Sequence, residues 1–168
     1  MGMDVYGRNP KNKTGEYFRS NVWSYRPIHW LCYLSTIRHE KETGYGDLIP
    51  LKTLQGMEFN DGKGLRSERK CKLLSDYIQE VVDYFFQKEV IPFEISPFPN
   101  ESFKWGVNKD GELYIDYGDL YVDKGGKLIR EKEVKDLNIE KISPHRIKKE
   151  HLQEFCDFLK NCGGFEVW

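Results

Sequence analysis

The chain has 168 residues and a formal net charge of −1, with 39% hydrophobic and 32% charged residues. This composition is typical of a soluble, folded protein and excludes a disordered chain. Because there is no excess of positive charge, it does not indicate bulk attraction to nucleic acid or to a membrane surface. The length predicts a single domain covering residues 1–168.

The N-terminal sequence MGMDVYGRNP has no hydrophobic signal region, and no apolar stretch in the sequence is long enough to span a membrane. The four cysteines form no C-x-x-C pair, and the four histidines do not combine with them in a metal-ligand spacing. We therefore expect a cytoplasmic protein with reduced cysteines, no bound metal and no cofactor.

The first half of the chain predicts a strand followed by helices. MDVYG predicts a short strand that ends at Gly7. Pro27 is typical of the first turn of a helix, which we expect to run to about His39. Residues 40–64 contain several glycines and a proline, so we expect this segment to be mostly irregular.

A second helix is predicted over residues 65–90, with Ser67 as its N-cap and Pro92 beyond its end. Apolar residues recur there at steps of three and four, which is typical of a buried helical face. That face comprises Cys71, Leu74, Ile78, Val81 and Phe85.

The second half predicts strands and then a helix. Residues 102–131 contain short alternating segments separated by turn sequences, which favours an inserted antiparallel β-meander. The last helix is expected to begin near Ser143 and to end before Gly163. FEVW predicts a closing strand beside MDVYG. The fold class is therefore α+β, with about three helices and a small sheet that pairs the N- and C-terminal strands.

The segment GEYFRSNVWSYRPIHW, residues 15–30, interleaves five aromatic residues with polar and charged ones. Large aromatic side chains usually fill cores, and we assign Phe18, Trp23 and Trp30 to the core. Aromatic rings beside guanidinium groups also suit stacking on a base and holding a phosphate. This second interpretation makes ligand-binding candidates of Arg19, Tyr25 and Arg26.

The segment FNDGKGLRSERK, residues 59–70, predicts a tight turn that opens the second helix. The start of a helix favours negative charge, yet this one begins among several cations. A bound anion would offset the repulsion, because free N–H groups and cations together form a phosphate site. The alternative is a solvated basic face capped by Ser67. The ligand-binding candidates here are Asn60, Asp61, Gly62, Lys63, Gly64 and Arg66. We expect this loop and Arg26 to line one pocket, with Tyr25 at its edge.

Three separated segments resemble a family of small uncharacterised proteins of phages and bacteria. They are the MGMDVYG…GEYFRSNVWSYRP start, the NDGKGL loop and the GGFE ending. The resemblance covers roughly a third of the chain. The family's usual W-W-W-R-P is replaced by Trp23-Ser24-Tyr25-Arg26-Pro27, and the C-x-x-C pairs of many members are absent. The resemblance therefore implies neither a catalytic residue nor a zinc site.

The leading functional hypothesis is a non-catalytic binding protein for a small anionic, nucleotide-derived ligand. If the resemblance extends to a phage origin, the protein acts in the host cytoplasm on defence signalling. A second hypothesis is an inhibitor or adaptor that binds a host protein through exposed aromatic residues around Trp23, Tyr25 and Trp168. A third is a nucleotide-processing enzyme with Asp61 as general base beside Arg66. The sequence reveals no nucleophile–base pair, so no catalytic residue is assigned.

Overall fold

The computed structural model describes residues 2–84, 104–118, 120–131, 140 and 142–168. These residues form helices and antiparallel strands around one main hydrophobic core. The helices are α1 (Lys13–Glu16), α2 (Val22–Thr43), α3 (Leu51–Glu58), α4 (Glu68–Tyr84) and α5 (Lys149–Asn161). The strands are β1 (Gly2–Gly7), β2 (Tyr17–Asn21), β3 (Lys104–Val107), β4 (Glu112–Asp116), β5 (Leu120–Val122), β6 (Leu128–Arg130), β7 (Arg146–Lys148) and β8 (Phe165–Val167).

The first sheet has the strand order β2-β1-β8 and is antiparallel throughout. Val5 stands opposite both Phe18 on β2 and Val167 on β8, which makes β1 the central strand. Beyond the ladder, the amide of Asp4 donates to the carbonyl of Trp168 at 2.8 Å, and the amide of Trp168 donates back at 2.7 Å. The predicted pairing of the N- and C-terminal strands is confirmed, and so is the α+β class.

The loop before α4 extends this sheet on the other side of β8. Lys63 forms an antiparallel bridge with Val167. The Val167 amide donates to the Lys63 carbonyl at 2.9 Å, and the Phe165 amide donates to the Leu65 carbonyl at 2.7 Å. The glycine between them, Gly64, lies directly against the Phe165 carbonyl. This loop is therefore a short structural edge of the sheet.

Helices α4 and α5 pack against each other and bury the apolar faces that the sequence predicts. Cys71, Leu74, Ile78 and Val81 of the predicted stripe are all buried on α4. The Ser75 hydroxyl donates to the Cys156 carbonyl on α5 at 2.9 Å, which ties the two helices together inside the core. All four cysteines are buried and free of disulfides. Residues 85–90 of the predicted helix, with Phe85 and Pro92, lie outside the described residues.

Helix α2 begins five residues before the predicted start at Pro27, and it ends at Thr43 rather than His39. Asn21 is its N-cap, with the side-chain oxygen accepting from the Ser24 amide at 2.9 Å. Pro27 therefore lies inside the helix, where only one intrahelical bond is lost to its missing N–H. The early start places Trp23 and Tyr25 on the helix, whereas Tyr17 and Phe18 of the same segment lie on β2.

The expectation of an irregular segment over residues 40–64 is wrong in two places. Helix α2 continues to Gly44, whose φ of 67° closes it in a left-handed cap. Helix α3 follows at Leu51–Glu58 and buries Leu54 and Met57. Its short length and internal glycine gave too weak a periodic signal for prediction.

The last helix begins at Lys149, not near Ser143. The chain turns at Ser143 instead. The Ser143 hydroxyl donates to the Ile115 carbonyl and accepts from the His145 amide. Residues 146–148 then pair with β4 as strand β7. Because residues 146–148 pair with the edge of β4, the last helix begins only after strand β7.

The predicted meander strands exist, but they divide between two sheets. Strand β4 is flanked by β3 on one side and β7 on the other, so it has no edge left for β5. Strands β5 and β6 pair with each other as a separate hairpin. Residues 102, 103 and 119 of the predicted insertion lie outside the described residues.

We expect Gly64→Ala to destabilise the protein, because a methyl group there overlaps the backbone carbonyl of Phe165. The loop must then separate from β8, at a cost of about 1–3 kcal/mol. Urea unfolding measures this change. Gly125→Ala is the matched control, since the nearest atom to its new methyl group is a side-chain oxygen of Asp123 at 3.3 Å. Equal stability of the two variants would contradict a structural role for the loop.

Candidate functional site

A cleft of about 950 Å³ opens at the outer edge of β2, and we call it the β2 cleft. Its walls come from the first sheet, the start of α2, the second sheet, the β5–β6 hairpin and the start of α5. The polar and aromatic residues that define its chemistry are Arg19, Ser20, Asn21, Trp23, Ser24, Glu112, Arg146, Lys148 and His151. Segments far apart in the sequence therefore meet at one concave surface.

Three cationic side chains line the β2 cleft. Arg19 is 65% exposed, and its Nε lies 3.6 Å from an Asp4 carboxylate oxygen. Arg146 pairs with Glu112 through Nε and Oε2 at 3.3 Å. Lys148 has no ion-pair partner among the described residues. Glu112 is the one carboxylate residue among those lining the cleft, so positive charge is in excess.

The N-terminus of α2 contributes to the same wall through Asn21, Trp23 and Ser24. The first turn of this 22-residue helix contains no acidic residue. Its unpaired N–H groups carry partial positive charge, and the Asn21 cap satisfies only that of Ser24. The helix start therefore adds to the positive potential of the three cations.

Trp23 supplies an aromatic wall to the cleft. Its side chain is half-buried, and its ring centroid lies 5.3 Å from that of His145. We expected Trp23 in the core with Phe18 and Trp30. Phe18 and Trp30 are buried in the core. The assignment of Trp23 to the core is wrong, because the early start of α2 places Trp23 in the first turn of the helix, beside the cleft.

His151 closes one side of the β2 cleft from α5. Its Nε2 lies 3.2 Å from the hydroxyl oxygen of Ser20, and its Nδ1 lies 2.9 Å from Oε2 of Glu154. Its ring stacks on Phe18 with centroids 4.9 Å apart. Ser20 itself is buried on β2. The imidazole is therefore held on both nitrogens and on one face.

The sequence-predicted residues of the aromatic segment separate in the structure. Arg19 lines the β2 cleft. Tyr25 was expected at the edge of a pocket, but only 3% of it is exposed. Burial is the largest cause of a raised pKa for its hydroxyl. This expectation is wrong because Tyr25 lies inside α2, on the face that packs into the core.

Arg26 forms a half-buried ion pair with Glu58 at the end of α3. Glu58 precedes the Asn60 turn by two residues, so the structure brings Arg26 close to the predicted loop. The guanidinium already has a carboxylate partner there. The β2 cleft includes neither Arg26 nor a residue of the loop, and a pocket shared by Arg26 and the loop remains a prediction.

The predicted ligand loop runs at the β8 edge of the first sheet, opposite the β2 cleft. Asn60 has a left-handed φ of 56°. Gly62 packs on the Trp168 ring, and its amide donates to the Val167 carbonyl at 2.9 Å. The charged side chains are exposed, namely Asp61, Lys63 and Arg66. Ligand binding by this loop remains a prediction, and its glycines also have the packing role described above.

Sequence reasoning did not name four residues of the β2 cleft, which are Ser20, Arg146, Lys148 and His151. It named Trp23 but did not assign it to an anion site. More than a hundred residues separate Ser20 from His151, and no motif spacing connects them. The one local signal was Asn21 three residues before Ser24, which is an N-cap pattern for a helix start ahead of Pro27.

No protein-family model, curated protein or solved structure matches this chain. Within the described ranges, no group of three or more His, Cys, Asp or Glu side chains could hold a metal ion. In the same ranges, no helix has the length and apolar character needed to cross a membrane. The geometry of the β2 cleft is therefore the basis for assigning a function.

We expect Arg26→Ala to lower stability, because it removes the ion pair and leaves the half-buried Glu58 without a partner. A loss of about 1 kcal/mol corresponds to a fall in melting temperature of about 2–4 °C for a chain of this size. Differential scanning calorimetry measures it. Arg66→Ala is the control, since this exposed arginine has no ion-pair partner among the described residues. Identical melting of both variants would argue against a structural role for Arg26.

Proposed function

We propose that the protein binds a small anionic, nucleotide-derived ligand in the β2 cleft. The observation that carries this proposal is the convergence of three cations, Arg19, Arg146 and Lys148, with the acid-free start of α2 on one concave surface. Cations and free helix N–H groups together favour phosphate. Glu112 offsets only part of this charge.

The size of the β2 cleft supports a small ligand. Its volume of about 950 Å³ lies at the upper end of the range for small-molecule sites. The whole chain has a net charge of −1, so the positive charge is local to the cleft. A local cationic cleft on a neutral protein favours a compact anion over a long nucleic acid.

Trp23 supports a ligand that also carries a base. An aromatic face beside cationic groups suits a molecule with one planar and one phosphorylated part. Trp23 lines the cleft within the same helical turn as Ser24, and Arg146 and Lys148 lie across from the helix on β7. This arrangement gives separate positions for stacking and for phosphate binding.

The resemblance to small phage and bacterial proteins extends this proposal by analogy. A binding protein that captures a signalling nucleotide would suppress the host defence response that the nucleotide triggers. The site of action is then the host cytoplasm. This extension depends on the resemblance of residues 1–27, the NDGKGL loop and the GGFE ending, and fold alone does not supply it.

A second candidate is an inhibitor or adaptor that binds a host protein. Trp168 is 54% exposed and Phe59 is 68% exposed, and Trp168 contacts the loop that follows Phe59. Exposed aromatic residues of this kind are typical of binding hot spots. Burial of Tyr25 removes one residue from the surface on which this hypothesis was based. A pull-down that recovers a stoichiometric partner from wild type but not from Trp168→Ala would support it.

We expect isothermal titration calorimetry to detect binding of at least one member of a panel of mononucleotides, cyclic mononucleotides and cyclic dinucleotides. Arg146→Ala and Lys148→Ala should each weaken that binding by roughly 10- to 150-fold, the effect of losing a charge-assisted hydrogen bond. Binding should also weaken as salt concentration rises.

Arg66→Ala is the matched control for this titration, because it removes an exposed arginine at the opposite sheet edge. If Arg66→Ala weakens binding and Arg146→Ala does not, the ligand occupies the loop near Asn60 rather than the β2 cleft. No heat from any phosphorylated ligand with folded protein would refute the proposal.

A further inference from the structure

A hydrogen-bonded chain of three side chains, Ser20, His151 and Glu154, lies at the wall of the β2 cleft. The Ser20 hydroxyl oxygen is 3.2 Å from Nε2 of His151, and Nδ1 of His151 is 2.9 Å from Oε2 of Glu154. Ser20 and His151 both line the cleft. Simple anion binding does not require such a chain.

The two ring nitrogens of His151 have different partners, and this sets their protonation. A carboxylate accepts hydrogen bonds only, so Nδ1 carries the proton that it donates to Glu154. In the neutral ring, Nε2 then has a lone pair and accepts from the Ser20 hydroxyl. A hydroxyl that donates to an imidazole held by a carboxylate is the arrangement of a nucleophile, a base and an orienting acid.

Other buried serines in the described ranges make a different kind of contact. The Ser35 hydroxyl donates to the Leu31 carbonyl at 2.7 Å, and the Ser75 hydroxyl donates to the Cys156 carbonyl at 2.9 Å. A backbone carbonyl satisfies a hydroxyl but cannot take its proton. Ser20 differs because its hydrogen-bond partner is a base.

The positions of Ser20 and His151 are fixed by the core. Phe18, two residues before Ser20 on β2, contacts Phe155 and Phe158 of α5 with ring centroids 5.1 and 6.1 Å apart. Phe18 also stacks on the His151 ring with an interplanar angle of 26°. Residues on packed, regular elements are held more accurately than residues on loops, as a reacting pair requires.

We propose that Ser20 is a nucleophile and His151 its general base, with Glu154 as a positioning residue, for hydrolysis of a small anionic carboxylic ester. The preference for an anionic ester rests on the proposed function, because the cations of the cleft select the charge. The nucleophile–base pair stands on its own geometry.

In the first step Ser20 Oγ attacks the ester carbonyl carbon, and Nε2 of His151 takes the hydroxyl proton. The bond from that carbon to the alcohol oxygen breaks, and the alcohol leaves with the proton from the imidazolium. Water then attacks the acyl-serine, Nε2 takes a proton from it, and the carboxylic acid leaves as Ser20 regains its proton. Unpaired N–H groups at the start of α2, directly after β2, are suited to the developing oxyanion.

Diisopropyl fluorophosphate is a small probe that labels activated serines, and mass spectrometry of digested protein locates the adduct. We expect an adduct on Ser20 in the wild type, none in Ser20→Ala, and at least a tenfold slower reaction in His151→Gln. The glutamine keeps a polar group beside Ser20, and a thermal melt confirms that each variant is folded. A folded wild type without an adduct on Ser20 would overturn the proposal.

Hydrolysis of two p-nitrophenyl esters, the neutral acetate and the anionic succinate, separates this inference from the anion-binding proposal. We expect Ser20→Ala to lower kcat/KM for both on the order of 100-fold or more. A preference for succinate that is lost in Lys148→Ala supports both proposals. Ser20-dependent cleavage without a preference for succinate would support the nucleophile–base pair and contradict the selection of anionic esters by the cations of the cleft. Nucleotide binding without Ser20-dependent cleavage shows that the Ser20–His151 bond is structural only.

Glu154→Gln tests the positioning role, because the amide keeps the shape but loses the charge. We expect kcat for the succinate ester to fall on the order of tenfold or more while KM stays unchanged. Glu150→Gln, the same change one turn earlier on α5, should alter neither constant. Equal kcat values for the two variants would remove Glu154 from the mechanism.

Discussion

The position of β1 between β2 and β8 is the constraint on which the remaining structure depends. Strand β8 follows α5 after only a short turn, in which Gly163 and Gly164 have φ values of 61° and 108°. Pairing of β8 with β1 therefore fixes where α5 ends and, through its length, where α5 begins. Because β2 pairs with the other edge of β1, the start of α5 comes to lie over β2. The contact between His151 and Ser20 follows from this arrangement.

The β2 cleft depends equally on β2 being an outer strand. Alternate residues of a strand point to opposite faces, and the burial of β2 shows this: Phe18 and Ser20 are buried, whereas Arg19 is exposed. At an outer edge, residues from both faces still border the same opening. A core-facing hydroxyl and a solvent-facing guanidinium therefore line one cleft. The second sheet supplies the remaining charges through β7.

Sequence reasoning predicted the features that local periodicity determines, such as the buried face of α4, the terminal strands and the α+β class. It did not predict the start of α2, because Pro27 was a stronger apparent signal than the Asn21 cap. Because of that error, Trp23 was assigned to the core and Tyr25 to a pocket, whereas Trp23 lines the cleft and Tyr25 is buried. A helix turns about 100° per residue, so residues two positions apart face different sides. The contact between Ser20 and His151 could not be predicted, because it results from tertiary packing and no sequence motif connects the two residues.

The register between β1 and β8, in which Val5 faces Val167, also affects the folding kinetics of this protein. This pairing joins residues from nearly opposite ends of the described sequence, so loop closure costs more entropy than it does for a local hairpin. Contacts of such high sequence separation slow folding. The cleft at β2 also requires the C-terminal part of the chain, because Arg146, Lys148 and His151 supply one of its walls. It is complete only when these residues have packed against β2 and the start of α2.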